Sequence, residues 1–319
     1  MDFKLLTKLS RVTQEEERLR SGEDVDRSIY STSNNFVILS DKMIESGKLI
    51  AFRPHTRFAD FPEHTHNYVE IMYMCSGSTG HTLNGHLPIH LKEGELLFLN
   101  QYVSHSIKRA EFWDVAINFL VLPKFFNTTF EMIGSHNVLG RFLAGCLQYE
   151  SSDIDYLHFV VSDIQPIQNL MENLVWSILE RQPNNRRITE VTMGLLFLQL
   201  LNYTGRLAFP DRQTDNSLVL NVLQEIEENY HMTSLTALAE TYHVSLAYLS
   251  SLVKKSTGST FRELLRQKRL TKAADLLKTT DLSVHSIISL VGYENSSYFY
   301  HAFHHQFGMD PKTYRSRIV

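Results

Sequence analysis

Cysteine is nearly absent. Cys75 and Cys146 are the two thiols in 319 residues, too few for a disulfide framework or a thiolate zinc cluster. Long apolar runs are missing as well, since no stretch reaches the roughly 18 residues that a membrane span needs. Residues 1–30 form a charged amphipathic stretch lacking the apolar segment of a secretory signal, so a cytoplasmic location and no membrane partner are expected. Strong positive charge is also lacking. Residues 216–319 carry 11 Lys and Arg against 9 Asp and Glu, a formal +2, and the remainder carries 20 against 26. Phosphate neutralisation supplies much of the affinity for a polyanion, so a nucleic-acid partner would have to be held by a few well-placed contacts. Lys254, Lys255, Lys272 and helix N-termini are the candidates. The length suffices for two domains with separate cores.

What is present is a repeat. SLTALAETYHVSLAYLSSLVKKSTG runs from Ser234 to Gly258, and LSVHSIISLVGYENSSYFYHAFHHQFG from Leu282 to Gly308. A shift of 50 lays Leu238 on Ile288, Ser245 on Asn295, Tyr248 on Tyr298, Leu249 on Phe299, Val253 on Phe303 and Gly258 on Gly308. In each copy apolar residues at helical spacing lead to a tight turn, at His243-Val244 or Gly292, and then to Ser245 or Asn295, residue types that cap a second helix. Each copy reads as a helix-turn-helix.

Between the copies, Thr260 and Glu263 form a capping box that opens a helix reaching Thr279. About 20 residues at 1.5 Å each span roughly 30 Å, close to the 34 Å turn of B-DNA. Such a strut could set both second helices into successive major grooves.

Residues 218–317 resemble the DNA-binding domain of the AraC/XylS family of bacterial transcription regulators. The resemblance rests on Ala239, Ser245, Tyr248-Leu249, Gly258, Phe261, Arg269-Leu270, Ala273, Val291-Gly292-Tyr293, Ser297-Tyr298-Phe299, Phe303, Phe307-Gly308 and the run from Pro311 to Arg315. It implies base-facing roles for Ala247, Ser250 and Ser251 in the first unit and for Ser296, Ser297, Tyr300 and His301 in the second; Lys254 and His304 join them as candidate DNA contacts. Arginine is common in the family where Ser251 and His301 stand, and lysine where His304 stands. Without arginine–guanine pairs, discrimination is expected from hydroxyl contacts, thymine methyls and DNA shape.

The first half reads differently. From Lys48 to about Leu122, short strand-like runs alternate with turn signals such as Asn84-Gly85. His64-Thr65-His66 and Glu70 stand at the spacing of the first cupin motif, followed by Gly77; Gly94 and His105 match the second, although Asn100, Tyr102 and Arg109 replace its usual proline, glycine and asparagine. On one strand His64, His66 and Glu70 would share parity and one face. With His105 they make a set able to hold a divalent transition metal, to contact hydroxyl groups of an effector without metal, or to serve structure alone. Nearby aromatics such as Tyr68, Phe98 and Tyr102 favour a small hydroxylated effector, a sugar first, with non-sugar effectors open. No cofactor is expected.

The expected plan is α+β: an N-terminal helical segment or arm (1–47), a cupin-like effector barrel (48–125), helices for packing or dimerisation (126–205), a linker (206–217) and an all-α double helix-turn-helix domain (218–319). The N-terminal segment is expected to bury a face of Phe3, Leu6, Leu9 and Val12. Two helices broken near Pro183-Asn184-Asn185 carry Trp176, Leu195, Leu196, Phe197, Leu198, Leu200 and Leu201 for the barrel or a second subunit. The whole chain is explained by a ligand-responsive transcription regulator: a homodimer binding promoter DNA and a small effector, and meeting RNA polymerase if an activator. A metal-dependent cupin enzyme with a DNA-binding appendage explains the histidine set alone.

Overall fold

The computed structural model describes residues 1–32, 35–135, 137–148, 154–180, 184–208 and 215–316. The chain divides into two compact units, Met1–Asp211 and Arg212–Val319. Much of the expected linker, residues 209–214, lies outside the described residues.

The first unit begins with α1 (Phe3–Leu9), α2 (Gln14–Arg20), β1 (Val37–Ile38) and α3 (Ser40–Met43). Eight strands follow: β2 (Ile50–Pro54), β3 (Phe61–His66), β4 (Val69–Ser76), β5 (Ser78–Leu83), β6 (Leu87–Lys92), β7 (Leu96–Leu99), β8 (His105–Ile107) and β9 (Val115–Val121). Then come α4 (Asn127–Ile133), α5 (Val138–Gln148), β10 (Tyr156–Phe159), α6 (Gln165–Leu179) and α7 (Asn185–Leu201). The strands form two five-stranded sheets, ordered β1-β3-β8-β5-β6 and β10-β7-β4-β9-β2, a cupin-like arrangement. Asn84 and Gly85 both take positive φ, 49° and 72°, and close the β5–β6 hairpin as their residue types dictate.

Three expectations need correction. Strands are not confined to 48–125: β1 pairs in parallel with β3, and β10 pairs antiparallel with β7, matching Tyr156 to Leu99 and Phe159 to Leu96. Two- and four-residue strands carry too little periodicity to be read locally; their partners define them. Second, His64 and His66 end β3 in one sheet while Glu70 starts β4 in the other. The chain crosses between sheets at Asn67-Tyr68, so facing sheets, not shared parity, gather these side chains. Third, α1 buries Leu5 and Leu9, whereas Phe3 is 80% exposed.

The N-terminal helices are tied down. The Asp2 amide donates to Glu172 Oε1 at 2.7 Å, and Lys8 pairs with Glu180 and lies over the Trp176 ring. α2 carries a Thr13–Glu16 capping box, and Glu16 meets Arg57 in a buried bidentate pair, at 2.7 and 3.0 Å. Of the apolar residues singled out in α7, Leu196, Phe197 and Leu200 are buried within the unit, and Leu195 is exposed together with Val191 one turn earlier.

Among its described residues the second unit is built of helices: α8 (Asp215–Asn229), α9 (Leu235–Thr241), α10 (Leu246–Thr257), α11 (Phe261–Thr279), α12 (Val284–Leu290), α13 (Ser296–Phe307) and α14 (Pro311–Ser316). Leu270, Ala273, Ala274 and Leu277 of α11 pack with Ile287, Ile288, Val291, Phe299 and Phe303, so the central helix serves as floor for the second repeat.

Candidate nucleic-acid interface and effector pocket

Both repeats are built as helix-turn-helix units with the expected caps. Ser245 and Asn295 accept from the amides of Tyr248 and Tyr298, and α10 and α13 end on the left-handed glycines Gly258 and Gly308. The Thr260–Glu263 capping box is formed. The repeat, however, is not uniform. Second helices and their caps are related by a shift of 50, but first helices are related by 49: Ser234 caps α9 as Ser283 caps α12, Leu238 and Ala239 are buried as Ile287 and Ile288 are, and the Val244-to-Ala239 hydrogen bond recurs from Tyr293 to Ile288. Leu238 therefore corresponds to Ile287, not Ile288. Glu294 is the extra residue, placed between the turn and the Asn295 cap.

Burying Leu249, Leu252 and Val253 turns Ala247, Ser250, Ser251 and Lys254 outward on α10, all exposed. On α13, Phe299 and Phe303 are buried, leaving Ser297, Tyr300, His301 and His304 exposed and Ser296 half-buried. Leu246, Tyr248 and Tyr298 are exposed beside them and were not singled out for base contact. Large apolar side chains left bare at the start of a capped helix were the available signal. Several cations of the unit are used internally. Arg269 donates to the Tyr230 and His231 carbonyls and lies over Tyr293, Arg315 donates to the Leu277 and Leu282 carbonyls, and Lys268 pairs with Glu227. The modest charge of this domain is thus further reduced for phosphate contact, while Lys254, Lys255 and Lys272 stay exposed.

In the first unit His66, Glu70 and His105 converge between the sheets. All are buried, and one ligand atom of each lies within 4.8 Å of the others. Glu70 Oε2 is 3.3 Å from His105 Nε2 and 3.8 Å from His66 Nε2. His64 faces its register partner His105, ring centroids 4.1 Å apart, but stays outside this convergence, its Nδ1 bound to the Pro62 carbonyl. Two further buried imidazoles escaped the sequence reading. His81 lies 6.3 Å from His105 between centroids, and His55 lies 5.6 Å from His81. Burial disfavours the charged imidazole throughout: His66 is pushed down to about 4 and His105 to about 3, with His55, His64 and His81 also lowered. His81 sits on β5 at inward parity with Thr79 and Leu83, a weak signal that was present.

The cavity bounded by His64, Glu70, Tyr68 and Asn118 measures about 40 Å³, and Tyr30 and Arg53 stand at its wall. Glu15 of α2 accepts from Arg53 at 2.9 Å and from the Tyr30 hydroxyl, so the N-terminal segment is tied to two residues of the cavity wall. The volume suits an ion or a few waters and falls well below the roughly 300–1,000 Å³ of ordinary small-molecule pockets.

The AraC-like ligand binding domain model matches residues 47–116, and the helix-turn-helix domain model matches residues 238–317. The chain is 28% identical over 288 residues to the HTH-type transcriptional activator RhaS of Salmonella arizonae, covering 88% of this chain and 96% of that one. It is 26% identical over 268 residues to RhaS of Shigella boydii serotype 18, covering 83% and 91%. The C-terminal domain of AraT, a response regulator from Geobacillus stearothermophilus, is 36% identical over 31% of this chain and 84% of that structure, with a TM-score of 0.31. No helix among the described residues is long and apolar enough to cross a membrane. The chain belongs to the AraC/XylS family: it is a ligand-responsive, DNA-binding transcription regulator with a cupin-like effector domain and a double helix-turn-helix domain.

Proposed function

We propose that this regulator binds its effector in the barrel cavity through His64, His66, Glu70 and His105, and that the effector is a small hydroxylated molecule, a sugar first. The observation that supports this reading is a set of buried polar atoms without partners among the described residues: His66 Nε2, Glu70 Oε2 and both ring nitrogens of His105. Buried polar groups are almost always satisfied, and hydroxyls donate and accept as these atoms require. A monosaccharide exceeds a cavity of this volume, so its entry displaces the Arg53 and Tyr30 side chains that Glu15 holds, and α2 becomes the arm that reports occupancy.

On DNA, α10 and α13 each take a major groove, reading bases through Ala247, Ser250, Ser251, Ser296, Ser297, Tyr300 and His301, with Lys254 and His304 on phosphate. The exposed Val191–Leu195 strip of α7 supports a homodimer. Relatives named as activators support activation through RNA polymerase, and a promoter-bound regulator works in the cytoplasm. We assign no enzymatic role, because the enzyme reading leaves the double helix-turn-helix without a purpose. The test is promoter-fragment affinity and thermal stability measured against a panel of monosaccharides and non-sugar metabolites. A ligand that stabilises the protein and changes DNA affinity in wild type, but not in His64→Ala, supports the pocket. Ligand response unchanged in that variant places the effector elsewhere.

A further inference from the structure

We propose that His66, Glu70 and His105 hold one divalent first-row transition metal ion, with open coordination positions facing the cavity where the effector's oxygens bind. The role given to the effector rests on the pocket reading above; the ion site itself does not. Three observations carry it. The donor atoms converge within 4.8 Å while all three residues are buried. The atoms that converge are the ones lacking partners: His66 Nε2, Glu70 Oε2 and His105 Nε2. And His66 is already oriented for coordination, since its Nδ1 lies 2.7 Å from the Tyr68 carbonyl. A hydrogen bond there puts the proton on Nδ1 and leaves the Nε2 lone pair toward the centre, the arrangement that surrounding groups impose on metal-bound histidines.

Charge and size agree with this assignment. A carboxylate buried between imidazoles calls for a positive partner, and among the described residues no Lys or Arg is paired with Glu70. Glu70 also lines the cavity of about 40 Å³, which has room for the small ligands that complete an ion's shell. Two imidazoles and one carboxylate with open positions form the donor set of iron-, cobalt-, nickel- or zinc-type ions rather than calcium or magnesium, which prefer oxygen. The structure also revises the fourth expected ligand. His64 lies outside the 4.8 Å convergence, so the set is two histidines and a carboxylate, with His64 available to an effector hydroxyl.

The experiment uses the full chain, stripped with chelator and without any effector. Cobalt(II) titration followed by visible absorption reads nitrogen and oxygen coordination directly, and elemental analysis after desalting gives stoichiometry. One ion per chain, with ligand-field bands that vanish in His105→Gln and Glu70→Gln but persist in the exposed control His90→Gln, is the expected result; circular dichroism confirms that the variants are folded. Thermal stability of the wild type should rise with zinc or nickel and not with magnesium. No bands in the folded wild type, or bands unchanged in both site variants, would overturn the ion site. Effector binding and DNA response that survive complete metal removal would overturn the ion's role as effector ligand while leaving the pocket reading intact.

Discussion

His243 and Gly292 occupy the same left-handed corner of the two helix-turn-helix units, at φ of 54° and 84°. They stand 49 residues apart, one short of the spacing that relates the helices after the turn. The shared corner explains why one turn uses glycine and the other does not. A Cβ on residue 292 would lie 2.5 Å from the His231 carbonyl oxygen, against a segment already fastened by Arg269.

Gly292→Ala should therefore lower the stability of the helical unit by about 2 kcal/mol or more, from left-handed strain of about 1–2 kcal/mol plus the displaced carbonyl. His243→Gly releases similar strain but frees the unfolded chain by about 0.5–1 kcal/mol, so a gain no larger than about 1 kcal/mol is expected. Urea midpoints of the helical transition check both; equal losses in the two variants would contradict the shared corner.

The Glu16–Arg57 pair fastens α2 to the barrel, and Arg57 also donates to the Phe112, Ser10 and Arg11 carbonyls. Arg57→Met leaves Glu16 buried without its partner and should cost about 3–5 kcal/mol, with Glu16→Gln restoring part in the double variant. Burial raises the Glu16 carboxyl, but hydrogen bonds from Arg57 and the Thr13 amide outweigh it and hold it below the ordinary range. This contribution is present above the unfolded carboxyl pKa, about 4.3, and is lost as pH falls through the lower folded value. Proteolytic release of residues 1–30 on acidification should accordingly begin at higher pH in Arg57→Met than in wild type.

Caps were legible in the sequence because they are local chemistry: Ser245, Asn295 and the Thr260–Glu263 box each satisfy amides within three residues. The missing residue in the first turn was not, since Leu238 matches Ile287 and Ile288 equally well as an apolar type and only the hydrogen bond to Ile288 fixes the register. In the barrel, His64, His66, Glu70 and His105 could be picked out by spacing. That His64 touches His105 yet stays outside the convergence of His66, Glu70 and His105, and that His55 and His81 are buried nearby, depends on which strands face each other, which is non-local information. β10 was invisible for the same reason: Tyr156–Phe159 is a strand because β7 lies beside it.

Acid sensitivity of the barrel follows from the same cluster. In the unfolded chain histidine protonates near pH 6.5, whereas burial holds His66 at about 4 and His105 at about 3 in the fold. The unfolded state thus binds more protons between these limits. Stability is complete above about pH 6.5 and declines as pH falls toward the folded values, by up to about 1.4 kcal/mol per pH unit for each such histidine. Metal-free His105→Gln should show a shallower decline between pH 6 and about 4 than metal-free wild type, measured by denaturant unfolding; parallel curves would refute the assignment.

DNA readout separates the exposed residues by role. If α10 and α13 enter successive grooves, each subunit protects two major-groove segments about 10 base pairs apart on one face of the duplex. A single protected segment per subunit would remove one helix from the interface. Ser297 and His301 stand on the face of α13 opposite Phe299 and Phe303, so Ser297→Ala or His301→Ala should relax preference at one or two base pairs, by about 1–3 kcal/mol of discrimination each. Lys254 lies in the last turn of α10, away from the capped end that leads into the groove. Lys254→Ala should instead weaken specific and nonspecific DNA alike and reduce the salt slope by about one counterion. Affinities for a promoter fragment and a scrambled fragment across a salt series decide it: loss confined to the specific fragment would make Lys254 a base reader, and no loss on either would take it off the interface.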